Sequence, residues 1–177
     1  MKLHQLTDGL SDELKGVLRG VRDEDVKSLE REIQRRGSIF TTGAGRTFIL
    51  MRPFAMRLMQ YGFNSHIVGE TTTPRMNKND LLLAASARGA TVGVIRRAEE
   101  ARALGGRVFA ITSNPDSPLI RIATGTLIIP APKRTIQFGT NWFEQGMFLL
   151  LEAISLRLAK KRGITIEKLM VRHANLE

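Results

Sequence analysis

Residues 81–85 read Leu-Leu-Leu-Ala-Ala, an apolar run with no alternation. A strand wetted on one face alternates polar and apolar side chains, whereas a strand covered on both faces does not. Such a run therefore asks for helices on both sides of a parallel sheet, and the flanking chain can supply them. From Gly37 onward, segments of strand and helix character alternate. Strands are predicted at about 38–42, 64–68, 81–85, 107–112 and 126–129. Helices are predicted at about 46–61, from the 86–91 loop to about 104, ahead of the last strand, at about 140–161 and near the C-terminus. Five strands alternating with helices imply an α/β fold with a parallel sheet. If the strand order is 2-1-3-4-5, the flavodoxin-like arrangement, strands one and three are neighbours where the order reverses.

Two helices are predicted ahead of this unit, within residues 3–36. Leu10, Leu14, Val17, Leu18 and Val21 form one helical stripe, and Val26, Leu29 and Ile33 form a second. Asp23-Glu24-Asp25 suits the start of the second helix, and Arg35-Arg36-Gly37 reads as a basic last turn with a glycine cap. Neither helix has a crossover role in the sheet. Each has a place on one face of the domain or on a second copy of it. The chain is expected to form one domain over 1–177, with residues 3–36 as its helical extension.

Ligands of such sheets bind beyond the carboxyl ends of the strands where the order reverses. Two loops are placed there. The first, Gly43-Ala44-Gly45-Arg46-Thr47, links a strand to a helix through two glycines that bring unpaired helix N–H groups to the strand tip. The second, Ser86-Ala87-Arg88-Gly89-Ala90-Thr91, does the same with two hydroxyls and a cation. A phosphate or carboxylate is the natural guest of such ends. The competing readings are a plain tight turn for the first loop, and simple helix capping by Ser86 and Thr91 for the second. The missing third glycine argues against a dinucleotide fingerprint.

Glu144, in G-T-N-W-F-E-Q, lies among Trp142, Phe143 and Met147, a setting that suits a general base. A helix-start glutamate favoured by the dipole would read the same way. Of the three histidines, His66 falls mid-strand and reads as packed, while His173 lies in the terminal R-H-A-N-L-E. No H-x-x-x-H spacing points to a metal, and no Ser–His–acid set is recognisable. Met51, Met56 and Met59, at helical spacing, read as core filling.

Composition narrows the classes further. No cysteine is present, which excludes disulfides and thiolate catalysis. No apolar run reaches the length of a membrane span, and the N-terminus lacks a signal pattern, so a cytoplasmic location with no membrane association is expected. The net charge of +10 is spread over pairs such as Arg35-Arg36 and Arg96-Arg97, without interleaved aromatics. That disfavours nucleic acid and fits a dispersed solvated surface or an anionic small substrate.

Several stretches together resemble the 6-phospho-3-hexuloisomerases of the sugar isomerase (SIS) domain family. They are G-A-G-R (43–46), F-A-M-R-L-M (54–59), G-F-N (62–64), V-G-E-T (68–71) with Pro74, and D-L-L (80–82). Further on come A-I-T-S-N-P-D-S-P-L (110–119), G-T (139–140), F-E (143–144) and R-H-A-N-L-E (172–177). The resemblance implies a five-stranded parallel sheet flanked by helices, assembled as a tetramer with sites at subunit contacts. It implies interconversion of D-arabino-3-hexulose 6-phosphate and fructose 6-phosphate through a cis-enediol, with neither metal nor organic cofactor. Glu144 would be the base, and His173 would assist proton movement in a neighbouring subunit's pocket. Ser86 and Thr91 would hold the phosphate, with Gly45, Arg46 and Thr47 close by. The second loop departs from the usual S-G-S-G-E-T: a serine has become Arg88, ahead of Gly89, and a glutamate has become Ala90. The first departs from G-A-G-R-S-G at Thr47 and Phe48. Arg88 then either grips phosphate as a charged planar donor, or marks a pocket that binds a sugar phosphate without turning it over.

Overall fold

The computed structural model describes residues 2–176. In chain order the elements are α1 (Leu3–Arg19), α2 (Asp23–Gln34), β1 (Ile39–Thr42), α3 (Gly45–Gln60), β2 (Ser65–Ile67) and β3 (Leu81–Ala85). They continue with α4 (Val92–Ala103), β4 (Arg107–Thr112), α5 (Pro118–Ile122), β5 (Gly125–Ile128), α6 (Asn141–Lys161) and α7 (Ile166–Met170). The five strands form one parallel sheet in the order β2-β1-β3-β4-β5, as expected. β1 pairs in register with β2 on one side (Phe40 with His66) and with β3 on the other (Phe40 with Leu82).

β3 lies at the centre and every one of its residues is buried. Its period-two geometry sends Leu81, Leu83 and Ala85 to one face and Leu82 and Ala84 to the other. The first face is covered by α2, α3 and α6, through residues such as Leu29, Ile33, Phe54, Leu58, Phe143 and Leu151. The second is covered by α4 and α5, through Val94, Ala98 and Leu119. Both faces need apolar residues, which is why the run does not alternate.

The two N-terminal helices pack on the first face of the domain. Val17 of α1 and Val26, Leu29 and Ile33 of α2 belong to the same apolar cluster as β1, β3, β4 and β5. Glu30 of α2, only 1 % exposed, is held by Arg157 and Lys161 of α6.

Two local expectations are corrected. α2 ends at Gln34, and Arg35 already takes extended backbone, so Gly37 is not its cap. Gly37 instead adopts φ +127° where the chain enters β1, and the Asp80 carboxylate accepts from the backbone N–H of Ser38 at 2.7 Å just beyond it. Met51 is core, but Met56 and Met59 are 41 % and 39 % exposed. With Ile49 they form a bare apolar stripe on α3. No described helix is long and apolar enough to cross a membrane.

Candidate active site

Three helices start at one cavity. Ala44, Thr91 and Thr140 are the residues preceding the first turns of α3, α4 and α6, and all three line the same concavity of about 360 Å³. None of the three has a side chain hydrogen-bonded to its own helix end. The orphan N–H groups and positive dipole ends of three helices thus converge without side-chain caps. An anion satisfies that arrangement.

The sheet explains the convergence. In a parallel sheet, each strand that feeds a helix delivers that helix's N-terminus to the carboxyl edge. β1 and β3, neighbours at the reversal of strand order, deliver the 43–47 and 86–91 loops side by side. Gly45, Arg46, Thr47, Ser86, Arg88 and Thr91, all named from the sequence, line one cavity together with Glu144. Ser86 is buried, and its Oγ lies 3.0 Å from Thr91 Oγ1. The Thr91 hydroxyl is therefore turned to Ser86 rather than to the α4 end, which removes the simple capping reading. Thr47 is buried, while Arg46 and Arg88 extend into solvent at the rim.

Gly89 is placed differently. It is absent from the cavity wall and sits behind it at φ +62°, where a Cβ would lie 2.2 Å from Ser117 Oγ. Only glycine lets the loop pass so close to the start of α5. Its visible contribution is the shape of the loop.

Glu144 is 8 % exposed, one turn into α6, with buried Trp142, Phe143 and Met147 around it. Its Oε2 lies 2.7 Å from Arg46 Nε as an ion pair, off the line of a hydrogen bond. Arg46, whose side chain is 60 % exposed, thus bridges the phosphate-type loop and the carboxylate. Among the described residues the Arg46 guanidinium has the Glu144 carboxylate as its charged partner.

His173 does not reach this cavity. It follows α7 in an exposed segment, with Nδ1 2.9 Å from the carbonyl of Ala174. The neighbouring Arg172 lies against Gly62, at the far end of α3 from Gly45. Glu177, the last residue of the terminal motif, lies outside the described residues. His66 is half-buried against Phe40, ring centroids 5.3 Å apart, and burial pushes its pKa below the usual histidine value. It lines a separate concavity with Met56, Met59 and Glu70.

Two contributors are not evident from the sequence pattern. Thr140 completes the cavity; a threonine just before a helix is the signal that could have found it. Arg97, from the second turn of α4, donates from one guanidinium nitrogen to Thr42 Oγ1 and to the Gly43 carbonyl, both at 3.3 Å. It braces the first loop from behind, and nothing local in R-R-A-E-E marks it.

The SIS domain family model matches residues 32–156. The 3-hexulose-6-phosphate isomerase of Mycobacterium gastri is 41 % identical, covering 97 % of this chain and 92 % of its own. That of Bacillus subtilis is 37 % identical over the full length of both. A solved structure from Methanococcus jannaschii, of a protein inferred to be a 3-hexulose-6-phosphate isomerase, superposes with a TM-score of 0.89 at 30 % identity, covering 98 % of this chain and 99 % of that one. The chain belongs to the SIS domain family, as a homologue of its 3-hexulose-6-phosphate isomerases.

Proposed function

We infer that this chain is a 3-hexulose-6-phosphate isomerase, converting D-arabino-3-hexulose 6-phosphate to fructose 6-phosphate. The observation that carries the reading is one cavity walled by three uncapped helix starts and by the buried carboxylate of Glu144. The uncapped ends, with Ser86, Thr91 and Thr47, suit the phosphate; the carboxylate suits the carbon acid. Glu144 takes the proton from C2 of the 3-ketose while O3 takes up a proton, giving the C2–C3 enediol. Return of a proton to C3 with loss of the O2 proton then leaves the carbonyl at C2. The charge that develops on the oxygen needs a donor, and Arg46 is the cation nearest to Glu144. Residues 1–177 act as one domain in this reading, α1 and α2 included.

We read the working form as a homo-oligomer, a tetramer with its sites at subunit contacts. Its support is twofold. His173 lies away from its own cavity and can assist proton movement only in another copy's site. The apolar stripe Ile49, Met56 and Met59 on α3, with Leu149 and Leu156 on α6, stands exposed on the single chain.

The test is fructose 6-phosphate with the protein in D2O, followed by NMR. Deuterium entering at C3, with new 3-ketose signals, is the expected result. Ligand-induced shifts in the protein without any exchange would overturn the enzyme reading in favour of a sugar-phosphate-binding protein.

Arg88, which the resemblance sets in place of a serine, lines the cavity at its rim beside Ser86 and Thr91. A charge-assisted hydrogen bond contributes about 1.5–3 kcal/mol, so Arg88→Ala is expected to raise KM by about tenfold to a hundredfold. The kcat should stay within about threefold, as for loss of a contact made equally in ground and transition states. Steady-state kinetics check this; an unchanged KM would place Arg88 in the solvent rather than on the phosphate.

A further inference from the structure

Glu144 is carried at the start of α6, and the eleven residues ahead of that helix run as a strap from Pro130 to Thr140 with no helix or strand of their own. This strap lies along one face of α1. At one end, a Cβ on Gly20 would stand 2.7 Å from Pro130 Cγ, so the absence of a side chain admits the proline ring. Toward the other, a Cβ on Gly9 would stand 3.1 Å from Ile136 Cδ1. Between them, the Glu13 carboxylate accepts three hydrogen bonds from consecutive strap residues. Thr135 Oγ1 donates at 2.8 Å and Gln137 Nε2 at 3.1 Å, both to Oε1, and the Ile136 backbone N–H donates to Oε2 at 3.1 Å. Val17 then meets α6 itself, at Gly146, where a Cβ would stand 3.2 Å from Val17 Cγ1. Gly9, Glu13 and Val17 on α1, and Gly20 just past its end, recur at helical spacing on a single face. That face grips the chain on both sides of Thr140, Trp142 and Glu144.

We propose that Glu13 is a positioning residue for the isomerase reaction: by clamping residues 135–137 to α1 it sets where α6 begins, and with it the Glu144 carboxylate and Thr140 at the cavity. The inference rests on the function proposed above, and assigns the N-terminal helix a part in it. Thr135, Ile136 and Gln137 have no regular secondary structure to hold them, and Ile136 is 56 % exposed. Without the clamp, the described residues leave this stretch the Ile136 contact at Gly9 and an internal Gln137 N–H to Thr135 Oγ1 bond at 2.9 Å, neither of which is a directional bond to α1. The phosphate-type loops 43–47 and 86–91 belong to β1–α3 and β3–α4 and make no part of this contact. Loss of the clamp should thus move the base and leave the anion grip intact.

The test compares the full-length wild type with Glu13→Ala, Glu13→Gln and, as a control off this face, Lys15→Ala. Amide exchange of Ile136 and emission of Trp142, the one tryptophan, report strap and helix start without any substrate. In Glu13→Ala, Ile136 is expected to exchange at least about tenfold faster and Trp142 emission to shift, with the sheet amides unchanged. The kcat is expected to fall by about tenfold to a hundredfold, with KM within about twofold, because small displacements of a reacting group cost rate rather than binding. Glu13→Gln, which keeps one carbonyl oxygen, should fall between. Unchanged Ile136 exchange, or a loss expressed in KM, or a loss matched by Lys15→Ala, would overturn the proposal. A wild type that fails to isomerise would instead remove the function reading. The clamp would then stand or fall on exchange and emission alone.

Discussion

Glu144→Gln is expected to lower turnover by about two to four orders of magnitude, the usual contribution of a positioned general base. The substitution keeps the shape of a side chain that is 8 % exposed among Trp142, Phe143 and Met147, so the cavity wall is preserved. It removes the ion pair with Arg46, but that guanidinium is largely solvated and remains so. KM should therefore change little, and deuterium should no longer enter C3 in D2O. Turnover within about tenfold of the wild type would mean that another group takes the proton. The same variant tests the shared site. When Glu144→Gln and His173→Ala chains are mixed at random in one oligomer, a site needing one residue from each of two copies is intact in about a quarter of cases. If both residues came from the same chain, no mixed site would be intact and no activity would return.

The second large effect concerns stability. Arg157→Met with Lys161→Met is expected to lower the unfolding free energy by about 3 kcal/mol, the lower part of the range for breaking a buried ion pair. Glu30 is 1 % exposed and meets Arg157 Nε at 2.7 Å and Lys161 Nζ at 2.5 Å. The two cations are nearly half exposed and can return to water, but the carboxylate cannot. Removing the cations leaves it desolvated and unpaired between α2 and α6. The low end applies because solvent already screens the cationic side. Adding Glu30→Met should recover most of the loss, since an apolar side chain there needs no partner. Urea unfolding with an unchanged slope measures both steps. A double-variant loss under about 1 kcal/mol would show that the network behaves as an ordinary surface pair.

Much of this architecture is legible in local pattern. The unbroken run 81–85 demands cover on both faces, and the predicted strand ends there and at 107–112 match the observed ones. The glycine-rich entry to α3 and the hydroxyl-rich entry to α4 name their residues before any fold is drawn, because a helix start is a local chemical event. The apolar setting of Glu144, though not its role, is readable for the same reason: its buried neighbours Trp142, Phe143 and Met147 are close in the chain. The misreadings have a common cause. Met51, Met56 and Met59 share a helical spacing, yet only Met51 faces the sheet, since helix periodicity says that residues align without saying which turn meets the core. Gly37 looks like a cap because it follows two arginines, but its positive φ serves the entry to β1.

The sequence by itself determined the layers and the chemical character of the two loops, because both follow from periodicity and turn chemistry, which act over a few residues. The strand order does not follow from them; it is expected from the family resemblance, and the sheet shows it. Only the tertiary structure decided that three uncapped helix starts share one cavity, that Arg46 lies on Glu144, and that His173 is left outside. It also decided that Glu13 grips a strap more than 120 positions away. Those are contacts between segments whose spacing along the chain carries no information about their distance in space. They exist because a parallel sheet gathers the ends of remote strands at one edge, and its crossovers bring the helices with them.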